Sequence, residues 1–244
     1  MRQLSTMQRV RRGALVAVLA LVGALVLTGC RSEPGIAAYV GSEKITIDQV
    51  EALVDAVDKV NAGRTADVQP GPVPISRQLV LALMVYGDLA HQLVSDRSLT
   101  PNPQFVDVVA RGYGIPPAHP YAQLLGNYLD SIDILGKNAG TAAPSRDQIL
   151  RYYRTGVDAQ MFPPGLSDDN VVAQGSQAAT IVGFLNAQTM LDDWAKKRHL
   201  TVNPRYTPLA MPVLLLDSQR GVVTGVPFGQ TGESIVTDAS EGGS

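Results

Sequence analysis

Cys30 is the one thiol in the chain, and it stands directly after Leu27, Thr28 and Gly29. A lone cysteine closes no intrachain disulfide and builds no multi-cysteine zinc or iron–sulfur set, so its chemistry is that of a single nucleophile. The three histidines, His91, His119 and His199, fall in no paired spacing of the H-E-x-x-H kind that a zinc hydrolase requires. His91 lies mid-helix beside an apolar stripe and reads as a packing residue at the core edge. His119 is in a Pro-rich loop, and His199 is near a helix C-terminus, where a cationic ring suits the dipole. No G-x-S-x-G nucleophile elbow occurs. Gly225 to Ser234 (GVPFGQTGES) has the glycines of a phosphate loop but lacks the Lys before Ser and a following helix, and Gly112-Tyr113-Gly114 does not extend to a dinucleotide fingerprint. Carboxylates recur on helices: a ladder of Asp48, Glu51, Asp55 and Asp58, the pair Asp130 and Asp133, and the adjacent Asp192 and Asp193. The ladder and the first pair read as solvated stripes, and adjacent residues point to different faces. Trp194 reads as a core residue. The chain thus reads as non-enzymatic, with no catalytic, cofactor-binding or metal-binding residues and no cofactor.

What the thiol is for becomes legible from the residues before it. Met1 to Arg12 carries Arg2, Arg9, Arg11 and Arg12 and no acid, and Gly13 to Leu27 (GALVAVLALVGALVL) is an uncharged run of 15 residues. That is the layout of a secretory leader, and the run is short of the ~20 apolar residues a membrane span needs. Leu27-Thr28-Gly29-Cys30 resembles the lipobox of bacterial lipoproteins: an aliphatic residue, two small ones that lie extended in a peptidase site, and the Cys that takes a diacylglycerol thioether. The resemblance implies that residues 1–29 are a signal peptide and that lipidated Cys30 begins a tether, 30–35. It places the mature protein on the extracytoplasmic face of a cell membrane with the lipid bilayer as its first partner. One acyl chain holds marginally and two or more hold firmly. Arg11-Arg12 raises the twin-arginine export route, but its flanks fit that motif poorly and general secretion fits better.

Removing the leader changes the charge balance. The 244 residues hold 20 basic and 22 acidic side chains; the leader accounts for four of the basic ones, so the remaining 215 carry 16 against 22, a net of −6. A net-acidic body argues against nucleic acid as a partner, because phosphate binding needs clustered Lys and Arg. Apolar residues make up 45% and aromatics 5%, enough for a core built of Leu, Val, Ile and Ala.

The elements that position these residues follow from periodicity and punctuation. Ile36 to Val40 and Lys44 to Thr46 predict a tight hairpin around Gly41-Ser42-Glu43. Ile47, Val50, Val54 and Val57 predict a helix, and Asn61 to Pro74 a loop. A long helix is expected from Ser76 to Ser98, with Leu79, Leu83, Tyr86, Ala90 and Leu93 on one face. Asn102-Pro103 reads as a cap and first helical residue of a short helix to Arg111, and a further helix spans Tyr121 to Lys137. Ser145 and Gln148 form a capping box for a helix from Arg146 to Arg154, and Ser167 with Asp168 and Asp169 opens a single helix reaching His199. Val213 to Leu216 and Gly221 to Val226 read as strands joined by Asp217 to Arg220, and residues 229–244 as a disordered polar tail. The fold class is mainly α, with a small β element formed from strands near both ends of the mature chain.

Several of these segments resemble one family in order and spacing. Ala37 onward (AAYVGSEKITIDQVEALV) resembles the opening of SurA-type N-terminal chaperone domains. Pro144 to Arg154 (PSRDQILRYYR) resembles a later signature of that family. Leu185 to Arg198 and Thr201-Val202-Asn203-Pro204-Arg205-Tyr206 resemble its closing helix and the extended segment after it. The resemblance covers residues 36 to 206 and implies a SurA-like helical domain over 36–228. The parvulin isomerase that accompanies such bodies needs ~90 residues. Only 31 residues separate Arg154 from Asn186 and 38 follow Tyr206, so that domain has no place here. The match is to the actinobacterial type of lipoprotein that lacks it. What is implied is a chaperone-like module that binds unfolded or extended segments of secreted proteins in an apolar groove between helices. The rival expectations are an envelope scaffold or accessory protein for one folded partner, and a carrier of lipid or another small ligand.

Overall fold

A glycine turn starts the structure. Strand β1 (Ile36–Val40) and strand β2 (Glu43–Thr46) pair antiparallel with Val40 opposite Glu43, leaving a two-residue loop. Gly41 takes φ +64 there, the positive value that tight hairpins demand at a central position. The computed structural model describes residues 33–65, 71–73, 75–140, 142–158, 162–207, 209, 211–216, 223–227 and 237–238. β1 is buried along its whole length, and its free edge takes β3 (Thr201–Val202) antiparallel, with Ala38 opposite Val202. Asn203 locks this closure: its N–H donates to Ala37 O at 2.9 Å and its Nδ2 to Ile36 O at 3.1 Å.

The small sheet therefore does join both ends of the described body, but through Thr201–Val202. The expected C-terminal strands, β4 (Pro212–Leu216) and β5 (Val223–Pro227), form a separate antiparallel hairpin. A last strand, β6 (Thr237–Asp238), lies parallel to β3 inside the segment expected to be a disordered tail; the rest of that segment lies outside the described residues.

Seven helices make up most of the described residues. They are α1 (Ile47–Asn61), α2 (Arg77–Asp96), α3 (Phe105–Tyr113), α4 (Pro120–Lys137), α5 (Arg146–Asp158), α6 (Asp168–Gln177) and α7 (Ala179–Lys197). Local chemistry accounts for most of their ends. Thr46 and Gln49 form a reciprocal capping box on α1, at 3.1 and 2.8 Å, and Ser145 and Gln148 do the same on α5, at 3.2 and 2.8 Å. Ser76 and Ser167 cap α2 and α6. Two helices stop in the left-handed conformation without glycine, at Ser98 (φ 54) after α2 and His199 (φ 51) after α7. In each the next N–H reaches back to the last turn, Leu99 to Val94 O at 2.9 Å and Leu200 to Ala195 O at 3.2 Å.

Two expected boundaries are corrected. The short third helix starts at Phe105, not at Pro103, and its N-cap residue Gln104 makes no side-chain cap. The single helix expected from Ser167 to His199 is two, broken at Ala178 (φ −79, ψ 99). Val171 of α6 packs with Ile149 and Leu150 of α5, and α7 serves both clusters, with Leu185 in the smaller one and Ala187, Leu191 and Ala195 in the main core. Tyr152 and Tyr153 belong to the smaller cluster, where Tyr153 stacks on Phe162 at 6.1 Å and its hydroxyl donates to Pro163 O at 2.6 Å.

α4 is the axis on which the others seat, and two glycines set how closely. A Cβ at Gly126 would lie 2.5 Å from Val106 Cα, so α3 rests directly on the α4 backbone. At Gly136, α7 approaches through Gly183. The pair is not symmetric: a Cβ on Gly136 would meet Gly183 O at 2.8 Å, whereas one on Gly183 would sit 3.5 Å from the Gly136 backbone, ordinary contact. Gly136→Ala should therefore lower stability by about 1–3 kcal/mol through overpacking. Gly183→Ala should leave it unchanged or raise it by up to about 1 kcal/mol through helix propensity. Urea denaturation of both variants checks this, and equal losses would show that the helix crossing does not depend on Gly136.

Candidate functional site

Helices α2 and α4 present matching faces to a groove. Met84, Gly87, Asp88 and His91 on α2 and Leu124, Asn127, Tyr128 and Ser131 on α4 both follow spacings of 3, 1 and 3, one face of a helix. α1 adds Ala52 and Leu53, β2 adds Glu43 and Lys44, and Pro101, Pro103 and Pro120 complete the lining. The volume of this open groove is about 930 Å³. Gly87 keeps the space open: a Cβ there would lie 3.9 Å from Leu124 Cδ1, so the groove has room where a side chain would project. Tyr128 lies fully buried in the groove wall, its hydroxyl donating to Pro212 O at 3.1 Å, and that burial holds the phenol well above its ordinary pKa.

The groove holds two carboxylates of unusual setting. Asp130 was expected on a solvated stripe with Asp133, and only Asp133 behaves so, pairing with Lys137 at 2.6 Å. Asp130 is 4% exposed, and its Oδ1 accepts from the backbone N–H of Gln104 at 3.0 Å and Phe105 at 3.2 Å. It supplies from a neighbouring helix the cap that α3 lacks, at the terminus where the dipole favours an anion. Its Oδ2 is buried without a partner. Asp88 is half-buried and accepts from Gln92 Nε2 at 3.0 Å. Burial pushes its carboxyl above the usual range and Glu43 adds to the rise, against Gln92, His91 and Arg198. Lys44 faces the same mouth but is held by Glu33 at 2.8 Å.

The other residues singled out by type are dispersed. His91 is exposed at the groove, a correction to the core-edge placement expected of it. His119 caps α4, its Nδ1 accepting from Tyr121 N at 3.2 Å with Nε2 3.4 Å from Ala56 O. His199 is the left-handed residue after α7. Gly112-Tyr113-Gly114 ends α3, where Gly114 takes φ +59 and the Arg64 guanidinium donates to Tyr113 O at 2.7 Å and Gly114 O at 2.9 Å. Trp194 packs against the core under Arg198, which lies 4.6 Å above its ring. Within the acidic ladder of α1, Asp48, Asp55 and Asp58 are exposed and Glu51 pairs with Arg77 at 2.6 Å. Asp168 and Asp169 meet Arg154 and Arg146 at 3.4 and 2.9 Å. Leu27, Thr28, Gly29 and Cys30 lie outside the described residues. Sequence reasoning missed Gly87, Asp88 and the cap role of Asp130. The Thr46-x-x-Gln49 box, by contrast, carries a readable signature.

Comparison with known protein families, curated proteins and solved structures returned no match to this chain. Among the described residues, no helix is long and apolar enough to cross a membrane, and no group of three or more His, Cys, Asp and Glu is placed to hold a metal ion.

Another carboxylate with a raised pKa lies outside the groove. Burial pushes Asp192 of α7 up to about 6, with Asp193 reinforcing the rise and Lys196 and Arg151 opposing it. The folded state then holds this proton more tightly than the unfolded chain does. The contribution is fully present below about pH 4 and lost as pH rises through about 6. Asp192→Asn should abolish that loss and stabilise the protein at pH 7 by about 1–2 kcal/mol, allowing for partial solvent screening. Denaturation midpoints at pH 4.5 and pH 7 test it; an unchanged difference between the two pH values in the variant would refute the assignment.

Proposed function

We propose that this chain is a lipid-anchored extracytoplasmic protein without catalytic activity, and that the groove between α1, α2 and α4 takes extended segments of unfolded secreted proteins. The groove is the observation that carries the reading. Its volume, about 930 Å³, accommodates a few side chains at once. Met84, Leu53 and Leu124 offer adaptable apolar contact, and thioether and leucine side chains tolerate varied partners. Exposed Asn127 and the amide nitrogen of Gln49 offer hydrogen-bonding groups to the unpaired backbone of an extended segment. The SurA-type resemblance of the hairpin, the capped α5 and the Asn203-Pro204 segment supports the same reading. Anchoring follows from the lipobox-like Leu27-Thr28-Gly29-Cys30, with residues 1–29 as leader and 30–35 as tether.

A second reading, a carrier of lipid or another small apolar ligand, draws on a cavity of about 570 Å³ at the seam of α4 and α7, lined by Leu129, Ile132, Tyr152 and Phe184 among others.

Cys30→Ser should abolish incorporation of an alkyne-tagged fatty acid in a lipoprotein-processing bacterium and release the chain from the membrane fraction. Retained label would place acylation elsewhere. The full chain should also suppress aggregation of a thermally unfolding client, and Gly87→Leu, which fills the groove, should weaken that effect several-fold. No suppression at several-fold molar excess would sink the chaperone-like role. One dominant crosslinked species would favour an envelope scaffold, and stoichiometric uptake of a fluorescent fatty acid with client aggregation unchanged would favour the carrier.

A further inference from the structure

The groove carries negative charge that nothing in the described structure neutralises. Among the described residues neither Asp88, Asp130 nor Glu43 forms an ion pair, and the one lysine in the lining, Lys44, is committed to Glu33 through both carboxylate oxygens at 2.8 and 2.9 Å. His91 at the rim and Arg198 beyond it oppose the charge of Asp88 only at a distance.

Asp130 is the independent sign that a ligand group belongs there. Oδ1 is satisfied by the two N–H groups of α3, yet Oδ2, in a side chain 4% exposed, has no donor. A buried carboxylate oxygen left unpaired is costly, because burial strips water without replacing it. The residue nonetheless lines an open groove rather than a sealed core. The partly exposed apolar side chains of the same groove, Met84 and Leu124, suit the methylene stem of a long cationic side chain, which buries its carbons while its head seeks an anion.

We propose, building on the peptide-binding reading above, that the groove selects extended segments carrying a basic side chain, with the stem on Met84 and Leu124 and the cationic head drawn to the groove carboxylates Asp88 and Asp130. The acidic body, −6 over 215 residues, favours approach of such segments.

The test compares two labelled decapeptides of Ala, Leu and Ser, one with a central Arg and one with neutral citrulline in its place, binding to the full chain by fluorescence anisotropy. A charge-assisted hydrogen bond to a poorly hydrated carboxylate should favour the Arg peptide by about 10-fold. Asp88→Asn should reduce that preference to about 3-fold or less, and Gly87→Leu should weaken both peptides. Asp130→Asn, which retains an acceptor oxygen for Gln104 and Phe105, should act as Asp88→Asn does if it folds. Equal binding of the two peptides would overturn the cation selectivity and leave the groove reading intact. Binding of neither would overturn both, and a preference for Arg unaltered in Asp88→Asn and Gly87→Leu would place the cation site elsewhere.

Discussion

The contact on which the arrangement turns is a buried carboxylate against a helix end. Asp130 of α4 satisfies two of the N–H groups that α3 leaves without intrahelical partners, and Gly126, one turn earlier, lets the α3 backbone rest on α4. The residues lie four apart on one helix face, so a single stripe of α4 fixes both the distance and the start of α3. At its other end α3 is held by Arg64 on its last carbonyls and by the edge-to-face packing of Tyr113 on Tyr121, with ring centroids 5.8 Å apart. Pinned at both ends, α3 sets the course of the Pro101–Pro103 segment that lines the groove. The same α4 that organises the core thus also shapes the candidate site.

Chain closure is achieved by small, local devices. Asn61 exchanges two hydrogen bonds with the backbone of Val73, at 2.7 and 2.9 Å, and so brings together the ends of the loop between α1 and α2. Asn203 does the corresponding work for the body as a whole, tying the residues after α7 to β1, some 167 positions earlier. The α5–α6 pair is a satellite with its own cluster, Ile149, Leu150, Val171 and Leu185, joined to the rest through Phe184 and α7. Its smaller buried surface marks it as the region to open first under stress.

How much of this was legible in the sequence depends on the range of the interaction. Apolar stripes and caps are local, so Val50, Val54 and Val57 fall in the core as their spacing implies, and the Ser145–Gln148 and Ser167 caps stand where read. The hairpin was legible because Gly41 is a backbone requirement. The start of α3 was misread because its cap comes from a residue 26 positions away, and Asp130 looks like any solvated acid until the partner helix is in place. The break at Ala178 has no proline or glycine at the site itself, so no local signal marks it. Groove and core could not be told apart because both are lined from α2: Leu83 and Tyr86 are buried while Met84 and Gly87 face the opening.

Three residues that break local rules without local compensation lie at that opening. Gly87 sits inside a 20-residue helix, where glycine costs about 1 kcal/mol relative to alanine, although a Cβ would meet nothing closer than 3.9 Å. Asp88, beside it, is a carboxylate made less acidic chiefly by its own burial. Asp130 leaves one oxygen unsatisfied in a side chain that is otherwise committed to holding α3. Scattered defects of this kind would each be ordinary. Three of them on one concave surface fit the proposed exchange of stability for binding, because an empty groove forfeits burial and hydrogen bonds that an occupant would restore. On that argument the structural role of Asp130 and the binding role proposed for it are compatible, because Oδ1 alone caps the helix and Oδ2 is left without a partner among the described residues.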